Sequence, residues 1–117
     1  MAEFLYLYRG TEPATAKLSP QQMQEYMQAF QRWIGELAAA GRLGACAPLT
    51  PSGRTLSGRD GVASDGPYAE AKDLVGGYTV VTATDLDEAT NVARGCPFLT
   101  IGGSVEIRPV IDVAKPM

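Results

Sequence analysis

The chain has 117 residues, 45% apolar and 20% charged, with a formal net charge of -3 and a pI near 4.8. That length and balance fit one soluble globular domain spanning residues 1–117, with enough apolar content for a core. An acidic chain repels phosphate backbones, and no basic patch offsets this: Arg54 and Arg59 are the densest basic pair, with Asp60 beside them, so direct nucleic-acid binding is not expected.

No membrane span and no secretory leader is expected. The first apolar run, 4–8, is too short and follows Glu3. Cys46 and Cys96 are far apart in sequence; a disulfide between them is one reading, and reduced, buried thiols of a cytoplasmic protein are the favoured one. The chain contains no histidine. It therefore lacks an imidazole base, a Ser-His or Cys-His nucleophile pair and a His metal ligand. A zinc site would need both cysteines and two carboxylates. No cofactor is expected, and any catalysis would run on carboxylates, tyrosines, lysines or arginines.

Residues 3–8, Glu-Phe-Leu-Tyr-Leu-Tyr, read as a strand apolar on both faces, with Phe4, Tyr6 and Tyr8 on one side and Leu5 and Leu7 on the other. Ser19 as N-cap, Pro20 at N1 and Gln22 at N3 open a helix, with Leu18 and Met23 spaced as a hydrophobic staple. Met23, Tyr26/Met27, Phe30, Ile34 and Leu37 form its apolar stripe, Trp33 lies beside it, and Gly41 ends it. The stripe reads as core packing rather than as a cofactor site.

A weaker strand at 43–49 follows. A polar strand at 54–58 then turns at Asp60-Gly61 and returns through 62–64. The loop from Asp65 to Lys72 gathers ionisable groups around a Gly66-Pro67 turn. Gly76-Gly77 closes it and allows a close backbone approach. Residues 78–83 are a β-branched strand. Asp85 caps a second helix, with Glu88 three residues on. Leu86, Ala89, Val92 and Ala93 form its apolar face, and Gly95 and Pro97 stop it. Residues 98–101 are extended or turn, and 104–110 are the last strand, with Val105 and Ile107 on one face and Glu106 and Arg108 on the other.

The order is β-α-β-β-α-β with an elaborated central hairpin, an α+β arrangement with a largely antiparallel sheet and both helices on one face. The first strand is apolar on both sides, so the uncovered face would be apolar too. An uncovered apolar sheet face calls for a partner, and a second copy about a two-fold axis is the economical one, so a homodimer is expected.

Asp65-Gly66-Pro67-Tyr68-Ala69-Glu70 with Lys72, Gly76-Gly77-Tyr78, Asp85-Leu86-Asp87-Glu88-Ala89, Cys96-Pro97 and Arg108-Pro109-Val110 together resemble the YCII-related family, and within it the DGPF branch. The resemblance runs from the Tyr6-Leu7-Tyr8 strand to Val110. It implies a ferredoxin-like fold that pairs as a dimeric α/β barrel. Many members of the family pair a histidine with an aspartate in a cleft; Asp65 could match the acidic member, and its histidine partner is missing. Members of the branch are often associated with transcription, which implies a transcription-related protein partner.

The candidate residues carry two readings each. Asp65 is either a general base or an Asx-turn residue. Glu70 either pairs across a cleft mouth with Lys72 or Arg108 or makes a surface ion pair. Arg9 either holds a carboxylate ligand or is a solvated strand-end charge. Tyr6, Tyr8 and Tyr68 are candidate pocket rings. The reading favoured is a dimer that binds a small molecule or a protein partner. The alternative is a cofactor-independent enzyme doing proton-transfer, lyase or isomerase chemistry on a small aromatic or carboxylic acid.

Overall fold

The computed structural model describes residues 1–10, 14–65 and 74–112. A four-stranded antiparallel sheet is built from β1 (Ala2–Gly10), β2 (Leu43–Pro48), β5 (Leu74–Ala83) and β6 (Ser104–Pro109), in the order β2-β5-β1-β6. A separate two-stranded ribbon is built from β3 (Arg54–Ser57) and β4 (Val62–Asp65). Helices α1 (Pro20–Ala39) and α2 (Leu86–Ala93) complete the chain with 3-10 turns at Ala14–Lys17 and Pro97–Ile101. This order and strand sequence are those of a ferredoxin-like fold with an inserted hairpin.

Helix α1 starts where Ser19 and Gln22 exchange hydrogen bonds, the Gln22 amide donating to Ser19 Oγ at 3.1 Å and the Ser19 amide to Gln22 Oε1 at 2.9 Å. It ends at Gly41, whose φ of 72° lets the Arg42 amide donate back to the Leu37 carbonyl at 2.9 Å. Helix α2 is capped by Asp85, whose Oδ1 accepts from the Glu88 amide at 2.8 Å.

Alternation along β1 sends Phe4, Tyr6 and Tyr8 to the helix side, where all three are buried. They meet Trp33 and Leu37 of α1, Ala89 and Ala93 of α2, and Val81 of β5 in one core. Tyr6 lies flat near Trp33, with ring centroids 6.2 Å apart, and its hydroxyl donates to the Ala89 carbonyl at 2.5 Å. The two small residues of α2, Ala89 and Ala93, let that helix sit close to the sheet. Leu86 does not join them and stays exposed.

The opposite face of the sheet carries Leu5, Leu7, Tyr78 and Val80, all half-buried, and among the described residues no helix covers it. Two bulges interrupt the ladders. Tyr8 pairs with Gly77 and Arg9 with Val75, so Gly76 is an extra residue on β5. Leu43 pairs with Val81 and Cys46 with Thr79, so β2 also carries one extra residue between them. That second bulge puts Leu43 and Cys46 on the same face, the helix side. The two inner strands extend beyond their sequence-based bounds: β1 runs from Ala2 to Gly10, and β5 begins at Leu74, so Gly76-Gly77 lies within a strand rather than at the end of a loop. Residues 98–101 form a 3-10 turn.

Candidate functional site

A cavity of about 450 Å³ opens at one end of the helix-sheet sandwich. Its wall comes from the end of β1 (Tyr8, Gly10), from α1 (Tyr26, Met27, Phe30), from residues 46–51, from the start of β5 (74–77), and from Thr15 and Phe98. The aromatic side is tightly arranged. The Tyr8 ring is 5.7 Å from Phe30 and 5.4 Å from Phe98, and Phe30 is 5.9 Å from Tyr26. Two glycines shape it. A Cβ at Gly77 would stand 3.0 Å from the Ala47 carbonyl and 3.4 Å from the Tyr8 ring, and one at Gly103 would overlap the Phe98 ring. Glycine at 77 thus lets β2 and Tyr8 close around the β5 backbone.

Two polar groups of the wall, on Tyr8 and Cys46, meet at the buried Thr79 behind it. Tyr8 Oη and Thr79 Oγ1 lie 2.6 Å apart, and Cys46 Sγ is 3.2 Å from the same threonine oxygen. Thr79 is fully buried, and the bulge in β2 brings Cys46 to it; Cys46 itself is exposed, unlike the buried Cys96, because it lies at the open end of the edge strand. Burial raises the Tyr8 phenol well above its usual range, raises Tyr26 to about 12, and raises the Cys96 thiol behind them to about 11. At neutral pH these groups are uncharged hydrogen-bonding groups. They can hold a polar atom of a ligand but are not bases near pH 7. Among the described residues no three acidic or cysteine side chains gather closely enough to hold a metal ion.

Of the residues singled out from the sequence, Tyr8 lines this cavity. Tyr6 is adjacent in the sheet, but its hydroxyl is held by α2 and its ring lies in the core. Arg9 and Arg108 are on the uncovered face instead, flanking Glu106: Arg9 Nη1 is 3.4 Å from one carboxylate oxygen and Arg108 Nη1 3.3 Å from the other. Strand alternation separates them from Tyr8. Asp65 ends β4, is exposed, and pairs in register with Arg54 of β3, away from the cavity wall. Tyr68, Glu70 and Lys72 lie outside the described residues.

Tyr26, Phe30 and Phe98 belong to the wall although the stripe carrying the first two reads as core. Phe30 does pack against the core, so the same ring serves both. The visible signal was the Gly76-Gly77 pair, which marked a close approach without naming what approaches.

An α+β sandwich with a ferredoxin-like strand order and an apolar, aromatic-walled cavity at one end defines the class. The chain belongs to the YCII-related domain family, which matches residues 4–114. It is 31% identical over 112 residues to an uncharacterised protein of Rhizobium meliloti (strain 1021), covering 92% of this chain and 90% of that protein. Its fold is similar to that of the 5-chloro-2-hydroxyhydroquinone dehydrochlorinase TftG from Burkholderia phenoliruptrix AC1100, solved with 2,5-dihydroxybenzoquinone. The TM-score is 0.50 and the identity 19%, over 90% of each chain.

Proposed function

We propose that this YCII-related protein is a homodimer that binds a small, largely apolar ring compound in the cavity at the helix-sheet junction. The observation that carries this is the cavity itself: about 450 Å³, within the size range of small-molecule sites, apolar over most of its wall with a few hydroxyls and a thiol to orient a ligand. The dimer follows from the uncovered face. Leu5, Leu7, Tyr78 and Val80 make an apolar strip on the two central strands, and pairing two such faces about a two-fold axis would form a dimeric α/β barrel. Assignment to the DGPF branch rests on the Asp65-Gly66-Pro67-Tyr68 sequence.

A second reading is favoured by one observation, the contacts of Tyr8 and Cys46 with Thr79 behind the wall. In that reading the protein is a cofactor-independent enzyme acting on a small aromatic or carboxylic acid, with Tyr8 orienting the ring; Asp65 is the acid or base that the sequence suggests, although it stands away from the cavity wall. The fold likeness to TftG is compatible with this but does not transfer its reaction. A transcription-related protein partner, placed by family association, would dock outside the cavity.

Native mass spectrometry of the purified protein tests the proposal. The expected species is a dimer that retains, or takes up from a panel of neutral hydroxybenzenes and quinones, one small molecule per chain. A dimer that takes up nothing from that panel rejects the ligand class. Turnover of a bound compound that survives Asp65→Asn but not Tyr8→Phe would favour the second reading without the aspartate as its base.

A further inference from the structure

The charges on the uncovered face of the sheet follow a pattern. Alternation puts Glu3, Leu5, Leu7 and Arg9 of β1 on that face. Register sets Val80 of β5 and Arg108 of β6 on either side of Leu5, and Tyr78 and Glu106 on either side of Leu7. Strands β2 and β5 contain no charged residue. The sheet therefore brings two carboxylates, Glu3 and Glu106, and two guanidinium groups, Arg9 and Arg108, to this face. Glu106 bridges Arg9 and Arg108 at 3.4 and 3.3 Å, while Glu3 is exposed and has no ion pair among the described residues.

These side chains are arranged about one midpoint. Tyr6 stands in the central row of the sheet, with Thr79 and Ile107 beside it. In the rows on either side lie Leu5 and Leu7, Val80 and Tyr78, Arg108 and Glu106. Further out along β1, equally far from Tyr6, lie Glu3 and Arg9. Across that midpoint each apolar residue answers an apolar one, and each acid answers a base.

A two-fold axis through the midpoint that lays this face on itself can run along the strands, diagonally to them or across them. Along the strands, Glu3 and Arg9 each meet their own copies, and the β6 charges fall on the partner's Val80 and the partner's Tyr78. A diagonal axis crosses the two sheets at about 90°; one β6 charge then meets its own copy and the other falls on an apolar residue of β5. Both arrangements oppose like charges and set ionised groups against apolar ones. Across the strands, β5 covers β5 and β6 covers β6 with direction reversed. Leu5 then faces the partner's Leu7, Val80 faces the partner's Tyr78, and every carboxylate faces a guanidinium. Packed sheets lie about 10 Å apart, a gap that a glutamate and an arginine close from its two sides. A twist of about 30° between aligned sheets shifts Glu3 sideways by about 5 Å, which the long arginine side chain takes up.

We propose that the second copy lies on this face with its strands antiparallel to the first, about a two-fold axis that crosses β1 at Tyr6, so that Glu3 pairs with Arg9 of the partner subunit and Glu106 with Arg108 of the partner subunit. This rests on the sheet-to-sheet homodimer proposed above and gives it an orientation. Each cavity opens where β1 finishes, so reversed strands put the two cavities at opposite ends of the dimer.

Two variants test the arrangement, with circular dichroism checking that each keeps its fold. Glu3→Lys is compared with wild type by sedimentation over a dilution series. The dissociation constant of the dimer should weaken at least about tenfold, or about 1.4 kcal/mol, because two attractive contacts per dimer become repulsive. Arg9→Lys keeps the charge and supplies an amine. Unlabelled and heavy-isotope-labelled chains of this variant are mixed, treated with a zero-length carbodiimide coupler and mapped by peptide mass spectrometry. Within one chain Glu3 lies about 20 Å along the strand from position 9, too far for direct coupling, whereas Glu106 is within reach of it and serves as the internal control. The expected product joins the introduced amine to Glu3 of the chain carrying the other label. A dimer in which that amine couples to Glu106 of its own chain and not to Glu3 of the other, or whose dissociation constant Glu3→Lys leaves unchanged, overturns the antiparallel arrangement and leaves the sheet-face dimer standing. A wild-type chain that stays monomeric throughout the series overturns both.

Discussion

Tyr6 and Tyr8 are two residues apart on one face of one strand, yet they do different work. The difference lies in what stands opposite each hydroxyl. Tyr6 reaches the Ala89 carbonyl of α2, so it ties helix to sheet; Tyr8 reaches Thr79 behind the cavity wall. Replacing Tyr6 by Phe keeps the ring and removes one buried hydrogen bond. A loss of about 1 kcal/mol is expected in urea unfolding at neutral pH. The loss should depend on pH. Burial raises the Tyr6 phenol to about 12 in the folded chain, against about 10 unfolded. Its contribution is therefore complete below pH about 10 and declines as pH rises through about 12, so the gap between wild type and Tyr6→Phe should shrink over that window. A gap that stays constant there would mean that the phenol is not held neutral by folding.

At the scale of elements, α2 is short and is held at its first turn. Glu88 Oε1 accepts from Arg42 Nη1 at 2.8 Å and from the Thr84 amide at 3.0 Å, while the Arg42 guanidinium also donates to the Thr82 carbonyl at 3.1 Å. One carboxylate thus joins the end of β5, the start of α2 and the residue that leads into β2. These bonds, Arg42 first, hold the Glu88 carboxyl below its ordinary value. A lowered folded-state value contributes stability that is present above the unfolded pKa and is lost as pH falls through the folded one. Glu88→Gln should therefore lower the urea midpoint at neutral pH, and the difference from wild type should vanish in acid. A difference that persists in acid would show that the substitution acts through packing and not through charge.

The outline of these elements was legible because their causes are local. Ser19, Pro20 and Gln22 make a helix start whatever lies around them; so does Asp85, and Gly41 ends a helix by its φ. The hairpin at Asp60-Gly61 is likewise local turn chemistry. The two bulges were not legible. Nothing in Leu43-Gly44-Ala45-Cys46 announces an extra residue, and its effect, turning Cys46 towards Thr79, exists only once β2 lies beside β5.

Over the whole molecule, the question is what covers the second face of the sheet. Leu7 and Val80 lie near its centre, on the two inner strands. If two copies pair there, Val80→Asp buries a charge on each side of the two-fold with no partner for it. The variant should sediment as a monomer at concentrations where wild type is dimeric, with its circular dichroism unchanged. A variant that remains as dimeric as wild type would place the interface elsewhere. In the Arg9–Glu106–Arg108 cluster on the same face one carboxylate bridges two guanidinium groups, so the cluster would bring a net positive charge to such an interface.

From its residues alone the chain declared an α+β sandwich, the order of its elements, a strand apolar on both faces, and a family. Those properties follow from periodicity, caps and turns, which act over a few residues. The cavity was decided only in three dimensions. Its wall is assembled from one end of the sheet, where β1 and β2 finish and β5 starts, the middle of α1 and the turn after α2, segments whose adjacency no local signal encodes. Folding also separated what the sequence had grouped: alternation on β1 and β6 sends Arg9 and Arg108 to the face opposite Tyr8, and the ribbon carries Asp65 away from the wall. Side-chain chemistry is written residue by residue, but which groups can act together depends on strand register, and register is settled by the packing of the whole sheet.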